Sequence, residues 1–367
     1  MARHTARIIA FYLPQFYPTP ENDLWWGRGF TEWTNVGKAR PLFKGHYQPR
    51  VPSDLGYYDL RVAEVRKQQA ELAEYAGIEG FCYWHYWFGN NDRLLTTVFD
   101  EVMMSGEPDY PFCLGWANHS WYKKTWTTEG NDELLKEQKY AGIDDYTAHF
   151  KYVVKAFRDR RYIRHDNRPV FYVFDPESLP QEFIDVWNKL AVEHGLDGIC
   201  FVGRLKDDSK YQSLLDKGFA FLAPERTNDI STKTSRMKRR VYQLLHRLAG
   251  RPRNCYTYKT ASRYFINKEF DSKHRILPSI VPNWDHSPRS GRNGFMLHDS
   301  TPDLFAVHVN EVLRLIEERK AEDRIIFLKS WNEWGEGNHM EPDLKWGHGY
   351  LDTLRAVLDN FDDKKQK

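Results

Sequence analysis

Cysteine is scarce in this chain of 367 residues. Only Cys82, Cys113, Cys200 and Cys255 occur, and no two stand in a C-x-x-C spacing, which excludes a zinc knuckle or a thioredoxin-like motif. The first three lie in apolar runs, so buried reduced thiols are expected. No run of eighteen apolar residues exists, which excludes a membrane-spanning helix. The start, Met1-Ala-Arg-His-Thr-Ala-Arg followed by Ile8-Ile9-Ala10-Phe11-Tyr12, is too short for a signal-peptide core and lacks an A-x-A site, so a cytoplasmic protein is expected. An excess charge of one sign is also missing. Lys+Arg number 53 against 51 Asp+Glu, for a net charge of +2, so no overall field points to nucleic acid or membrane. No G-x-G-x-x-G turn and no Walker A loop is present, which removes the dinucleotide and P-loop layouts. No H-E-x-x-H and no ligand-spaced cluster of Asp and His suggests a metal, so neither metal nor other cofactor is expected.

What the chain does have is apolar and aromatic material. Hydrophobic residues make up 41% and charged residues 28%, enough for a large core. Strand-like runs occur at Arg7–Tyr12, Glu79–Trp84, Pro111–Trp116, Pro169–Phe174, Gly198–Gly203, Phe219–Ala223, Ile276–Pro282 and Ile325–Ser330. Several are apolar nearly throughout, as strands covered on both faces are. Between them, segments such as Leu60–Tyr75, Gln181–His194 and Asp303–Lys320 repeat apolar residues at three and four, as helices do. Ser300-Thr301-Pro302 reads as a helix start. Eight strands alternating with helices predict a single (β/α)8 TIM-type barrel over residues 1–361. Two connections are too long for plain loops, at about 15–56 and at 224–274, and are read as insertions that build a site. Residues 362–367, Asp-Asp-Lys-Lys-Gln-Lys, read as a disordered tail.

Aromatic residues reach 15%, with 13 tryptophans. All but Trp187 sit at predicted strand ends or in the loops beyond, where barrel active sites are built. They are Trp25, Trp26, Trp33, Trp84, Trp87, Trp116, Trp121, Trp126, Trp284, Trp331, Trp334 and Trp346. Indole faces stack on the C–H faces of sugar rings, so the pattern predicts a carbohydrate cleft; the alternative is that the rings pack long loops together. Single-stranded nucleic acid also stacks on aromatics but needs a basic groove, and the balanced charge argues against it.

The sharpest motif is Ser330-Trp331-Asn332-Glu333-Trp334-Gly335-Glu336-Gly337-Asn338-His339-Met340-Glu341-Pro342-Asp343, at the end of strand eight. Gly335 and Gly337 suit a turn with positive φ. Two carboxylates three residues apart among tryptophans suit glycosidic chemistry, in which one stays protonated and the other ionised. Glu333 and Glu336 are therefore the catalytic candidates.

Here the chain resembles the WbsX-like family of polysaccharide-locus proteins, related to glycoside hydrolase family 99. The resemblance runs over nearly the whole chain. It includes Ile9-Ala10-Phe11-Tyr12-Leu13-Pro14-Gln15-Phe16, Gly80-Phe81-Cys82-Tyr83-Trp84-His85-Tyr86-Trp87-Phe88, Pro111-Phe112-Cys113-Leu114-Gly115-Trp116-Ala117-Asn118, Asn283-Trp284-Asp285-His286-Ser287-Pro288-Arg289 and the motif above. It implies a (β/α)8 barrel acting with retention on α-linked glycans such as mannosides, with the substrate's own 2-hydroxyl as nucleophile and a 1,2-anhydro sugar as intermediate. Carried onto this chain, Glu333 is the base toward the 2-hydroxyl and Glu336 the general acid/base. A place in O-antigen or capsule metabolism is likewise implied. Related sequences read Trp-Ala-Asn-Glu-Asn-Trp where this chain has Trp116-Ala117-Asn118-His119-Ser120-Trp121. A carboxylate that would hold sugar hydroxyls is replaced by His119, which is expected to act as a pH-sensitive donor because imidazole titrates near neutrality.

The substrate-binding candidates are Tyr12, Gln15, Trp33, His85, Tyr86, Trp87, Trp116, Asn118, His119, Trp121, Trp284, Asp285, Trp331, Asn332, His339 and Glu341, with Glu32 as a further cleft residue. Residues 226–254 hold nine basic residues and one acid, Asp229. Within them, 233–253 read as a basic amphipathic segment, suited either to an anionic membrane or to the solvated outside of the barrel. The expected partner is an oligosaccharide or polysaccharide, with a lipid-linked glycan and peripheral membrane contact as an extension. The competing functions are a glycosyltransferase or transglycosylase and a non-catalytic carbohydrate-binding barrel. A nucleotide-sugar transferase would show a Rossmann-like layout and a D-x-D motif, and neither is found in a convincing place.

Overall fold

The computed structural model describes residues 4–123 and 132–366. Trp126 lies outside the described residues. Eight parallel strands form the centre: β1 Arg7–Tyr12, β2 Ile78–Trp87, β3 Phe112–Trp116, β4 Arg168–Val173, β5 Cys200–Leu205, β6 Phe221–Pro224, β7 Ser279–Ile280 and β8 Ile325–Leu328. They pair in chain order from β1 to β6, and β8 pairs with both β7 and β1. The seam between β6 and β7 is closed by the parallel bridge Leu222↔Ile276, where Leu222 N donates to Arg275 O and Leu277 N donates to Leu222 O. The expected (β/α)8 barrel is thus the observed one.

The main helices are α1 Ala63–Tyr75, α2 Thr97–Ser105, α3 Ile143–Phe157, α4 Gln181–Glu193, α5 Tyr211–Asp216, α6 Arg236–Leu248, α7 Pro302–Ile316 and α8 Gly349–Gln366. The cap read at Ser300-Thr301-Pro302 is present: the Thr301 hydroxyl accepts from Leu304 N, and Pro302 opens α7. Strands and inward helix faces meet in one continuous apolar core. All four cysteines are free and buried.

Four local differences have physical reasons. β7 is two residues long rather than seven, because Pro278 and Pro282 bring no N–H to a ladder. β2 extends three residues further to Trp87, because Arg93–Leu94 folds back to pair with Tyr86 and Trp87. The stretch after β3, read as a loop, forms a hairpin of Trp121–Lys123 with Glu133–Lys136. Finally, α8 continues through Gln366 where a disordered tail is expected. Asp362 secures its end by accepting hydrogen bonds from the Thr5 backbone N and hydroxyl and by contacting the His4 ring.

Both long connections are ordered. Residues 15–56 carry the helices Pro20–Trp26 and Glu32–Lys38. Residues 224–274 carry α6 and shorter pieces around a second apolar cluster that includes Ile230, Tyr258 and Phe265. The top of the barrel is filled with rings. Phe11 stacks on Trp84 at 4.7 Å and on Phe327 at 5.1 Å, and Tyr172 meets Phe11 edge-on at 4.8 Å. These rings form the floor on which the cleft rests.

Candidate active site

The chain leaves β8 through Lys329 and Ser330 and is pinned at once. Trp331 N donates to Phe11 O at 2.8 Å. The Asn332 side chain clamps Leu13 in both directions, at 2.7 and 3.0 Å. Asn332–Glu333 then pairs antiparallel with Asn338–His339 around a tight turn at Trp334–Glu336. Gly337 sits at φ +55°, as expected. Gly335 does not adopt positive φ. A Cβ there would collide with the Glu32 carboxylate, so this glycine is needed for close approach instead. Behind the turn, Trp334 stacks on His339 at 3.7 Å and donates its indole N–H to Glu341.

In front of the turn, three elements converge on one guanidinium. Arg289, from the short helix Ser287–Ser290 after β7, donates to Glu336 at 2.5 Å, to Glu333 at 3.0 Å and to Glu32 at 3.0 Å. Glu32 opens its helix behind the capping hydroxyl of Thr31. His286 Nε2 lies 3.7 Å from Glu336. Three carboxylates around one arginine leave an excess of negative charge out of bulk water. Burial and the neighbouring Glu336 accordingly push Glu333 up to about 8, with Arg289 opposing the shift. Burial by itself would lower Arg289, but Glu32, Glu336 and Glu333 outweigh it and raise it. Glu333 therefore keeps its proton at neutral pH.

The pair opens into a cleft of about 900 Å³ lined by residues from most of the strand ends. Phe11, Trp84, Tyr172 and Phe174 make its floor. Trp26, Trp121 and Trp284 contribute to its walls, and Trp26 keeps 43% of its surface exposed. Also in the lining, Lys329 at the end of β8 pairs with Glu225 after β6, and the Arg204 guanidinium of β5 lies over Phe174, 3.3 Å from the ring centre. Among the described residues no group of three or more His, Cys, Asp and Glu is arranged to hold a metal ion.

Of the sixteen binding candidates, Gln15, Tyr86, His119, Trp121 and Trp284 line the cleft with Glu333 and Glu336. The other eleven do not line it. Tyr12 is buried with its hydroxyl on Gln69. Trp33 bonds the Tyr58 carbonyl. His85 meets His149 at 2.7 Å, and burial lowers it to about 3. Trp87 bonds Asp145, and Trp116 bonds the Trp87 carbonyl. Asn118 ties Tyr140 to the Asp175 backbone. Asp285 is buried on His46 and Gln48. Trp331 and Asn332 are fully buried. His339 lies behind Trp334, and Glu341 accepts from Tyr58, Gln69 and Trp334. These eleven hold the cleft walls rather than face a ligand, so most of the strand-end tryptophans brace loops after all. His119 is also corrected. Burial, assisted by Arg204, lowers it to about 4, so it is neutral rather than switching near pH 7.

Arg289, Arg204, Glu225 and Lys329 are not among the candidates that the sequence motifs single out. A signal for the last three exists. Each is the first charged residue at the C-terminal end of an apolar barrel strand, where site residues concentrate. Arg289 lies in a loop after β7 and carries no such mark.

The fold is also found in solved structures. The GH99 endo-alpha-mannosidase from Bacteroides thetaiotaomicron aligns over 99% of both chains with a TM-score of 0.58 at 14% identity. A protein described as glycoside hydrolase-like aligns over 97% of this chain and 94% of its own, with a TM-score of 0.58 at 15% identity. Among curated relatives, WxcX of Xanthomonas campestris pv. campestris (strain B100) is 34% identical over 359 residues, covering 96% of this chain and 50% of WxcX. WxcX of strain ATCC 33913 is 32% identical over 366 residues, with the same coverage. The chain thus spans about half the length of the curated relatives it matches. A family profile described as Glycosyltransferase WbsX matches residues 8–354, and the chain belongs to that family.

Proposed function

We propose that this barrel is a retaining glycoside hydrolase-type enzyme acting on an α-linked, manno-type glycan of a surface polysaccharide. The observation that carries this reading is the Glu333–Glu336 pair, bridged by Arg289 and opening into an aromatic-floored cleft. At rest the proton sits on Glu333, and in the reactive form it has passed to Glu336. Glu333 then removes the proton of the substrate's 2-hydroxyl as that oxygen attacks the anomeric carbon. Glu336 gives its proton to the departing glycosidic oxygen, and a 1,2-anhydro sugar forms. Water, activated by Glu336, opens the three-membered ring at the anomeric carbon, and Glu333 returns a proton to the 2-oxygen. The two displacements together retain configuration. The floor rings exclude water and present flat faces to the sugar.

A sugar hydroxyl in place of water makes the same pair a transglycosylase. The transferase description of the family favours that second reading. The two are separated by following the products from an α-mannobiose or mannotriose donor with and without added acceptor glycan. Hydrolysis releases reducing sugar at a rate independent of acceptor, whereas transfer yields a longer oligosaccharide that grows with it. Absence of any turnover over a set of α-linked manno-oligosaccharides, with binding retained, would leave a carbohydrate-binding barrel.

The basic helix α6 supports extending the reading to a membrane surface. Met237, Val241, Leu244 and Leu248 recur at spacings of four, three and four, and all four are exposed, with Arg240 and Arg247 exposed on the same helix. An apolar stripe flanked by arginines suits an anionic bilayer. No helix among the described residues is long and apolar enough to cross a membrane. A lipid-linked glycan would then reach the cleft from the surface on which α6 rests. Flotation with anionic and neutral vesicles tests this. The Arg240→Glu/Arg247→Glu variant loses binding to anionic vesicles, and equal flotation of both proteins would remove the membrane from the account.

A further inference from the structure

The lining of the cleft holds two groups of charged residues. The β8 loop side has Glu32, Glu333 and Glu336 around a single arginine. Elsewhere in its lining the cleft has two cations, Arg204 and Lys329, and one carboxylate, Glu225. Arg204 donates Nε to the Phe174 carbonyl at 2.8 Å, and its guanidinium rests on the Phe174 ring. Among the described residues no carboxylate contacts it, and its terminal nitrogens have no hydrogen-bond partner. Glu225 and Asp175 act on it only through space, so a ligand carboxylate can supply the direct ion pair that it lacks. His119 stands beside the same ring, 4.7 Å from Phe174, and its Nδ1 is buried without a partner.

We propose that Arg204, Lys329 and His119 form an anion subsite that takes the carboxylate of a uronic acid residue, one ring removed from the sugar held at Glu333 and Glu336. The proposal rests on the cleft being a glycan site and names the substrate class: an acidic glycan. The planar guanidinium matches a carboxylate with two parallel N–H bonds. Lys329 uses one N–H on Glu225 and keeps others for the ligand, and neutral His119 supplies a further ring nitrogen. The charge separation also sets the direction of binding. A substrate carboxylate is drawn to the Arg204 side and repelled from the Glu333 side, so the acidic ring has one seat and the scissile bond one orientation.

Calorimetry on the full chain with three matched disaccharides tests the subsite: α-mannobiose, the same disaccharide oxidised to a carboxylate at one C6, and the same disaccharide phosphorylated at that position. The carboxylate form binds roughly tenfold or more tightly than the neutral form, the scale of a charge-assisted hydrogen-bonded pair. Arg204→Gln reduces that ratio toward one. Glu225→Gln, which removes the counter-charge of Lys329, increases it several-fold, a gain that misfolding cannot produce. Equal binding of the neutral and carboxylate forms, or a ratio that neither variant moves, overturns the subsite while leaving the glycan cleft intact. Preference for the phosphorylated form with the same dependence on Arg204 overturns the uronate assignment. If none of the three disaccharides binds, the glycan reading falls and the subsite falls with it.

Discussion

Glu333 and Glu341 stand eight residues apart in one loop, one on its front and one on its back. Burial raises both: Glu333 to about 8, with Glu336 adding to the effect, and Glu341 to about 7. Their surroundings differ completely. Glu341 is sealed away from the cleft and receives hydrogen bonds from Gln69 at 2.6 Å, Tyr58 at 2.8 Å and the Trp334 indole at 2.5 Å. Glu333 has a cleft before it, a second carboxyl beside it and a shared arginine between. The comparison teaches that a raised carboxyl value marks burial. Chemistry needs, in addition, a path to ligand and a partner that shares the proton.

The largest effect should come from breaking the front. Glu333→Gln or Glu336→Gln lowers turnover by roughly 10²–10⁴-fold, the usual contribution of a positioned acid or base, while calorimetry still registers the glycan. Glu341→Gln retains most of the turnover and lowers the melting temperature instead. If Glu341→Gln abolished turnover in a folded protein, the front–back distinction would be lost.

Arg289→Gln comes next. It takes away the one cation shared by Glu32, Glu333 and Glu336. With that attraction gone, the shared proton is held to higher pH, and the alkaline limb of the pH–rate profile moves upward by about one unit or more. A limb that stays in place would show that Arg289 does not couple to the pair.

The back of the loop makes a prediction about stability. The folded value of Glu341, about 7, lies above its ordinary 4.5. The folded state therefore binds the proton more tightly than the unfolded chain. This contribution is fully present below about pH 4.5 and is lost as pH rises to about 7, by roughly 3 kcal/mol in total. Denaturant titrations at pH 5 and pH 7.5, compared with Glu341→Gln, isolate it: wild type loses the increment and the variant does not.

The smallest effect belongs to the rim. Trp26→Ala removes an exposed indole from the cleft mouth and raises KM about threefold to tenfold, with less effect on kcat, as expected for one aromatic contact. Steady-state kinetics on the longest available oligosaccharide gives the most sensitive reading.

Periodicity and apolar runs made the barrel legible, because buried parallel strands and amphipathic helices leave their patterns in any window of the chain. The Glu333–Glu336 pair was legible because both residues sit in one short string with their turn glycines. Two things were not. The convergence of Glu32 and Arg289 on that pair joins residues 257 positions apart, and no local pattern records such a meeting. The placement of rings was also hidden. Trp87, Trp116 and Trp331 stand at strand ends as Trp84 does, yet they turn away from the cleft, and the difference is one of strand register and loop packing.

The most direct test of the central claim is a crystal of the protein soaked with α-1,2- or α-1,3-mannobiose and with a sugar-shaped iminosugar. The account predicts a ring seated above Phe11 and Trp84, with one carboxylate of the Glu333–Glu336 pair at the 2-hydroxyl and the other at the glycosidic oxygen. A ring bound away from both glutamates, or an empty cleft at saturating ligand, would contradict it.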